Sequence, residues 1–235
     1  MNAPTTKRKN LATNFLLFFL LIIWPLSSYL LMSEFGSGGK GQGPGLYSEK
    51  LDLATQIYLP TILIQLLVFL LIFLVLRREK ESLSSIGLKG FGFKNLLIGA
   101  VFWLGMSFFL LGLALFLQFH KLFNPPEVMH LLPRTQTQKT LWIIMALSAS
   151  LSEESAFRGF VLTRLNFYLR NWWLTILIAS LSFSLGHLYQ GPAGMIFAGI
   201  YGVSFSLLFL WRKSLLPCIT AHFLQNITPL FAPLY

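Results

Sequence analysis

Seven mainly apolar stretches, near residues 11–32, 53–76, 96–119, 140–162, 172–188, 193–211 and 216–231, make up most of the chain. A helix rises 1.5 Å per residue, so about twenty apolar residues cross the hydrocarbon of a bilayer. The expected fold is therefore all-α: a polytopic transmembrane bundle of about seven spans. Residues 1–139 supply N-terminal helices and loops, and residues 140–235 a helical core that carries the chemistry, within one integrated membrane domain. Composition agrees. The chain is 55% hydrophobic and 11% charged, against about 25% charged in soluble domains, and no segment is long enough to fold alone in water.

The net charge of +10 does not point to nucleic acid, because Lys and Arg cluster at helix ends. Lys7, Arg8, Lys9, Arg77, Arg78, Lys80, Lys89, Lys94, Arg164, Arg170, Arg212 and Lys213 fall on one side of the expected topology. The other side receives Lys40, Lys50, Lys121, Arg134 and Lys139. The larger set marks the cytoplasmic face, which places the N-terminus inside and, with seven spans, the C-terminus outside. The partner this implies is membrane lipid. The first apolar run exceeds the 7–15 residues or so of a signal-peptide core and is read as a retained helix, with Pro25 as a kink. Residues 35–45 form a glycine-rich loop without the order of a phosphate-binding loop. Residues 77–81 read as a solvated charge cluster, and residues 82–94 as a connector along the interface. The exit loop with His120, Asn124, Pro125, Pro126, His130 and Pro133 reads as irregular. Gly194, Ala198, Gly202 and Ser206 recur every four residues, a small-residue packing stripe. Cys218 is the single cysteine and reads as a buried apolar residue.

The fourth stretch breaks the apolar pattern with Ser152-Glu153-Glu154-Ser155-Ala156-Phe157-Arg158. One charge at mid-bilayer costs about 2.5–3.5 kcal/mol. Three together must face protein or a wet cavity and must have partners. Glu154 and Arg158 are four apart with the acid first, the favoured order for a helical ion pair. Glu153 turns about 100° away, free to do chemistry. A purely structural ion network would not need that second acid.

Two later stretches hold His187, four residues after Phe183, and His222, four residues before Asn226. None of these polar groups belongs in hydrocarbon without a partner, so a common cavity is the economical arrangement. There, Glu153 can act as general base on a water. His187 can hold that water or share its proton, and His222 with Asn226 can donate to an oxyanion. This chemistry is peptide hydrolysis. Glu153, His187 and His222 also match the ligand types of a catalytic zinc site, although H-E-x-x-H is missing. Metal-free and metal-assisted versions both stand on the residues alone.

Glu153-Glu154-x-x-x-Arg158, Phe183-x-x-x-His187 and His222-x-x-x-Asn226, in that order on separate late helices, resemble the three motifs of the CAAX protease and bacteriocin-processing (CPBP) intramembrane proteases. That family includes the type II CAAX prenyl endopeptidase and the Abi bacteriocin self-immunity proteins. The resemblance implies an integral multi-pass membrane endopeptidase with a cavity open toward the cytoplasm, in the plasma membrane if the cell is bacterial. It implies a membrane-bound peptide or protein substrate, prenylated in the CAAX branch. By carry-over Glu153 and His187 activate water, and His222 and Asn226 form the oxyanion site or contribute to a metal such as zinc. Glu154 and Arg158 brace the geometry.

Two other classes compete. A non-catalytic scaffold or bacteriocin-immunity partner would use the same cavity for binding. A transporter would use Glu153, His187 and His222 as a proton relay, but no inverted repeat is visible. One difficulty concerns depth. On these boundaries Glu153 and His222 lie in the cytoplasmic half and His187 nearer the far side, unless the fifth helix begins earlier, near Leu165.

Overall fold

Pro25 has no N–H and frees the carbonyl of Leu21, four residues back. The helix absorbs this with one wide π-turn, Phe19–Ile23, closed by the Trp24 N–H on the Phe19 carbonyl. The Ser182 hydroxyl then donates to the carbonyls of Leu20 at 3.2 Å and Leu21 at 3.1 Å. A proline defect thereby becomes a tie between the first and fifth helices. Pro60 is treated alike, with a π-turn at Ala54–Tyr58 just before it.

The computed structural model describes residues 11–27, 52–121 and 131–231, and these contain seven helices in the expected order. They are α1 (Leu11–Ser27), α2 (Ala54–Arg78), α3 (Phe93–Phe119), α4, α5 (Trp172–Leu185), α6 (Gly191–Arg212) and α7 (Leu216–Ile227). Helix α4 runs as Gln136–Glu154, a π-segment Ser155–Val161 and a last piece Leu162–Leu169. No strand occurs among the described residues, and the all-α bundle is as expected. The glycine-rich loop, Lys7 to Lys9, Lys40, Lys50, residues 28–32, Asn124 to Pro126 and His130 lie outside the described residues.

Three helices, Ala54–Arg78, Phe93–Phe119 and Leu188–Arg212, are long and apolar enough to cross a membrane. Their outer faces are uncovered: Phe108, Phe109, Leu111, Leu115 and Phe116 of α3 are all exposed. A contiguous apolar surface of this extent needs lipid as its solvent, and the chain is an integral membrane protein. The inner faces share one core, in which Leu16, Leu20, Val68, Ile72, Phe157, Phe160, Phe205 and Leu215 pack together.

Three expectations about the bundle's charged end are corrected. Arg164 is not a loop charge. It is 1% exposed within α4, with its Nη2 2.6 Å from Glu81 and 3.4 Å from Glu79. Residues 77–81 are consequently not a purely solvated cluster: the Glu79 side chain is buried and also accepts from the Thr13 hydroxyl. The connector at 82–94 does not simply lie along an interface. Its Ile86 is fully buried, and Gly87 (φ 89°) offers its carbonyl to the Leu215 N–H at 2.9 Å. Leu215 is itself fully buried, so α7 starts inside the bundle, which is why it is short.

The small-residue stripe on α6 is buried as expected. A Cβ on Gly202 would stand 2.9 Å from that of Ser180 on α5. A tighter approach joins α3 to α7. A Cβ on Gly99 would meet the Pro217 carbonyl at 2.5 Å, a backbone atom that cannot rotate away. Gly99→Ala is expected to cost about 1–3 kcal/mol by overpacking and to shift the helix carrying His222. An unchanged thermal midpoint in detergent would contradict this contact.

Candidate active site

The acidic pair sits where α4 changes from α to π geometry, a widening that often accompanies functional sites. Glu154 is fully buried and Arg158 is 1% exposed. The Arg158 Nη1 donates to Glu154 Oε1 at 3.1 Å, the ion pair expected from their spacing. The same oxygen lies 2.8 Å from His222 Nδ1. The Arg158 guanidinium is sandwiched, 4.4 Å from the Phe183 ring centre and 5.3 Å from that of Phe205. Its Nη2 reaches the Tyr201 carbonyl at 3.4 Å. One buried charge is thus fixed by helices α4, α5, α6 and α7 together.

Glu153 points elsewhere, as its rotation on the helix requires. Its Oε2 lies 3.9 Å from His222 Nε2. That oxygen is buried and accepts no hydrogen bond among the described residues. His222 therefore stands between the two acids. A carboxylate only accepts, so the Nδ1 facing Glu154 at 2.8 Å carries the proton. In the neutral ring Nε2 is then a lone-pair acceptor.

His187 follows the end of α5 and its Nδ1 lies 2.8 Å from the Phe183 carbonyl, which directs the Nε2 lone pair outward. The rings of His187 and His222 are 4.5 and 6.5 Å from that of Phe183. Phe183 is the hub that the two histidines and the arginine share. The depth difficulty disappears because α4 continues to Leu169, not 162, while α5 still begins at Trp172. Glu153 is sixteen residues before the α4 end and His187 fifteen after the α5 start, about 24 and 23 Å of rise.

Asn226 is one turn beyond His222 on α7. Its backbone carbonyl accepts from Trp142 Nε1 at 2.8 Å, and its half-buried side-chain amide has no partner among the described residues. Sequence reasoning missed Gln65 of α2, whose Nε2 donates to Glu153 Oε1 at 2.7 Å. The available signal was a primary amide inside an apolar span, which hydrocarbon does not tolerate without a partner.

Among the described residues no three His, Cys, Asp or Glu side chains converge closely enough to hold a metal ion. The expected set of Glu153, His187 and His222 brings two donors to one place, and two do not make a catalytic ligand sphere.

No curated protein and no solved structure matches the chain. A family match nevertheless covers residues 135–228, which contain every motif residue from Glu153 to Asn226. That part of the chain, which bears the site, is similar to the family described as type II CAAX prenyl endopeptidase Rce1-like.

Proposed function

We propose that the protein is an intramembrane endopeptidase that hydrolyses a peptide bond of a membrane-anchored substrate, with Glu153 as general base. The observation that carries this is the pair of buried acceptors, Glu153 Oε2 and His222 Nε2, 3.9 Å apart. That gap is too long for a direct hydrogen bond. It suits a water held about 2.8 Å from each, at the apex of a near-right angle. Such a water donates one hydrogen to each acceptor and turns its lone pairs toward an incoming carbonyl carbon.

Attack forms the C–O bond as one proton passes to Glu153 Oε2. The oxyanion accepts from the free amide of Asn226, and breakdown of the C–N bond returns the proton from Glu153 to the leaving nitrogen. The first products are a carboxylic acid and an amine; the acid's proton, the second from the water, then passes through Glu153 to the amine, leaving a carboxylate and an ammonium. In this arrangement His222 serves the water, with Glu154 and Arg158 holding its tautomer, and the oxyanion role falls to Asn226. His187, its Nδ1 committed to backbone, offers a second acceptor at the Phe183 hub.

The topology we infer is multi-pass with the N-terminus in the cytoplasm. The ends that gather at one pole carry Arg77, Arg78, Lys94, Arg212 and Lys213. They are joined there by Arg212 to Asn95 at 3.2 Å and Tyr168 to Asn14 at 2.7 Å. Trp172, Trp173 and Trp211 are exposed at the same pole, as an interfacial aromatic belt requires.

The test is cleavage by purified protein in proteoliposomes. Probes are an internally quenched farnesyl-CAAX peptide and the same sequence on a transmembrane anchor. Turnover is expected, and it should persist after dialysis against 1,10-phenanthroline. Absence of cleavage of both probes would reject the endopeptidase reading. Turnover that the chelator abolishes and zinc restores would reject its metal-free form.

A further inference from the structure

Gln65 is 4% exposed on a helix face otherwise made of Tyr58, Ile62, Val68, Ile72 and Leu76. A Leu or Met would fill that face without any polar cost, so packing does not explain an amide there. Its orientation is set by charge. An ionised carboxylate only accepts, so the amide N–H must face Glu153 and the amide oxygen must turn away. That oxygen is buried and has no partner among the described residues. The fold thus leaves one buried acceptor unsatisfied in order to place one donor on Glu153 Oε1 at 2.7 Å. Of the two carboxylate oxygens, Oε1 is thereby committed, and Oε2 is left facing His222 Nε2 at 3.9 Å.

We propose that Gln65, from a helix outside residues 135–228, is a positioning residue of the hydrolytic site. Its amide fixes the rotamer of Glu153 and so aims Oε2 at the attacking water. This rests on Glu153 being the base. Gln65 touches neither water nor substrate in this role, so its removal acts on turnover and not on substrate binding.

The experiment uses the full-length protein in proteoliposomes with the farnesyl-CAAX and transmembrane-anchored probes. Gln65→Leu and Gln65→Met keep the volume and remove the donor. Both are expected to retain or raise the thermal midpoint and to leave KM within about twofold. They should lower kcat about 10- to 100-fold, the scale of a lost charge-assisted hydrogen bond or a small misplacement. Val68→Ala, on the same buried face and with no hydrogen-bonding group to lose, is expected to lower the midpoint and keep kcat.

Retention of kcat within about twofold in the Gln65 variants would overturn the proposal. So would a kcat loss matched by Val68→Ala, or failure of both Gln65 variants to fold, since the amide would then be a stability element. Glu153→Gln, measured alongside, separates the two layers. If it turns over normally, the base assignment itself is wrong. If it is inactive while Gln65→Leu is not, only the positioning role falls.

Discussion

Glu153→Gln is expected to yield a folded protein whose turnover is lower by about 10²- to 10⁴-fold, the usual contribution of a positioned general base. The substitution keeps the shape and the bond to Gln65, since the new amide oxygen can accept where Oε1 does now. It removes the proton acceptor on the side facing His222. An amide NH₂ turned toward Nε2 would also bond the imidazole and displace the water. Stability should be nearly unchanged, because Glu153 is not part of the Glu154–Arg158 pair. The measurement is kcat for the farnesyl-CAAX and transmembrane-anchored probes together with the thermal midpoint in the same detergent. Turnover within tenfold of wild type, at equal folded fraction, would end the general-base assignment.

Arg158→Met is expected to be the most destabilising change in the site, for the opposite reason. Glu154 is fully buried, and its carboxylate is paired with the guanidinium at 3.1 Å. Removing one partner of a buried ion pair costs about 3–5 kcal/mol, because the other charge is stranded. Much of the chain's stability would be lost, since whole domains are held by only about 5–15 kcal/mol. The stacking on Phe183 and Phe205 goes too. Activity should fall further than stability. Without the guanidinium, the Glu154 carboxylate is no longer held against His222 Nδ1, and the ring can present Nε2–H to the water as a donor. The double change Glu154→Gln with Arg158→Met is expected to recover part of the thermal midpoint, having no stranded charge, but not the turnover. Thermal melts of the three variants decide this. A single variant as stable as wild type would mean that the pair contributes nothing to the fold.

The sequence by itself determined that the chain is helical and membrane-embedded, because apolar runs of bilayer length have few other solutions. It also determined that three charges in such a run must converge on something. The i, i+4 spacing settled the Glu154–Arg158 bond, since helix geometry alone sets that contact. What lies across helices was decided only by tertiary structure. Nothing local to residue 222 says that its ring bridges both acids, and nothing local to Gln65 says that it meets Glu153, eighty-eight positions away. Arg164 looked like a loop cation because sequence shows charge and not burial; its carboxylate partners arrive on the end of α2. The depth of His187 came right only because α4 runs past the last apolar residue of its stretch, an end fixed by packing rather than by hydropathy. Local periodicity dictates which residues share a face, and only the packed bundle dictates what that face meets.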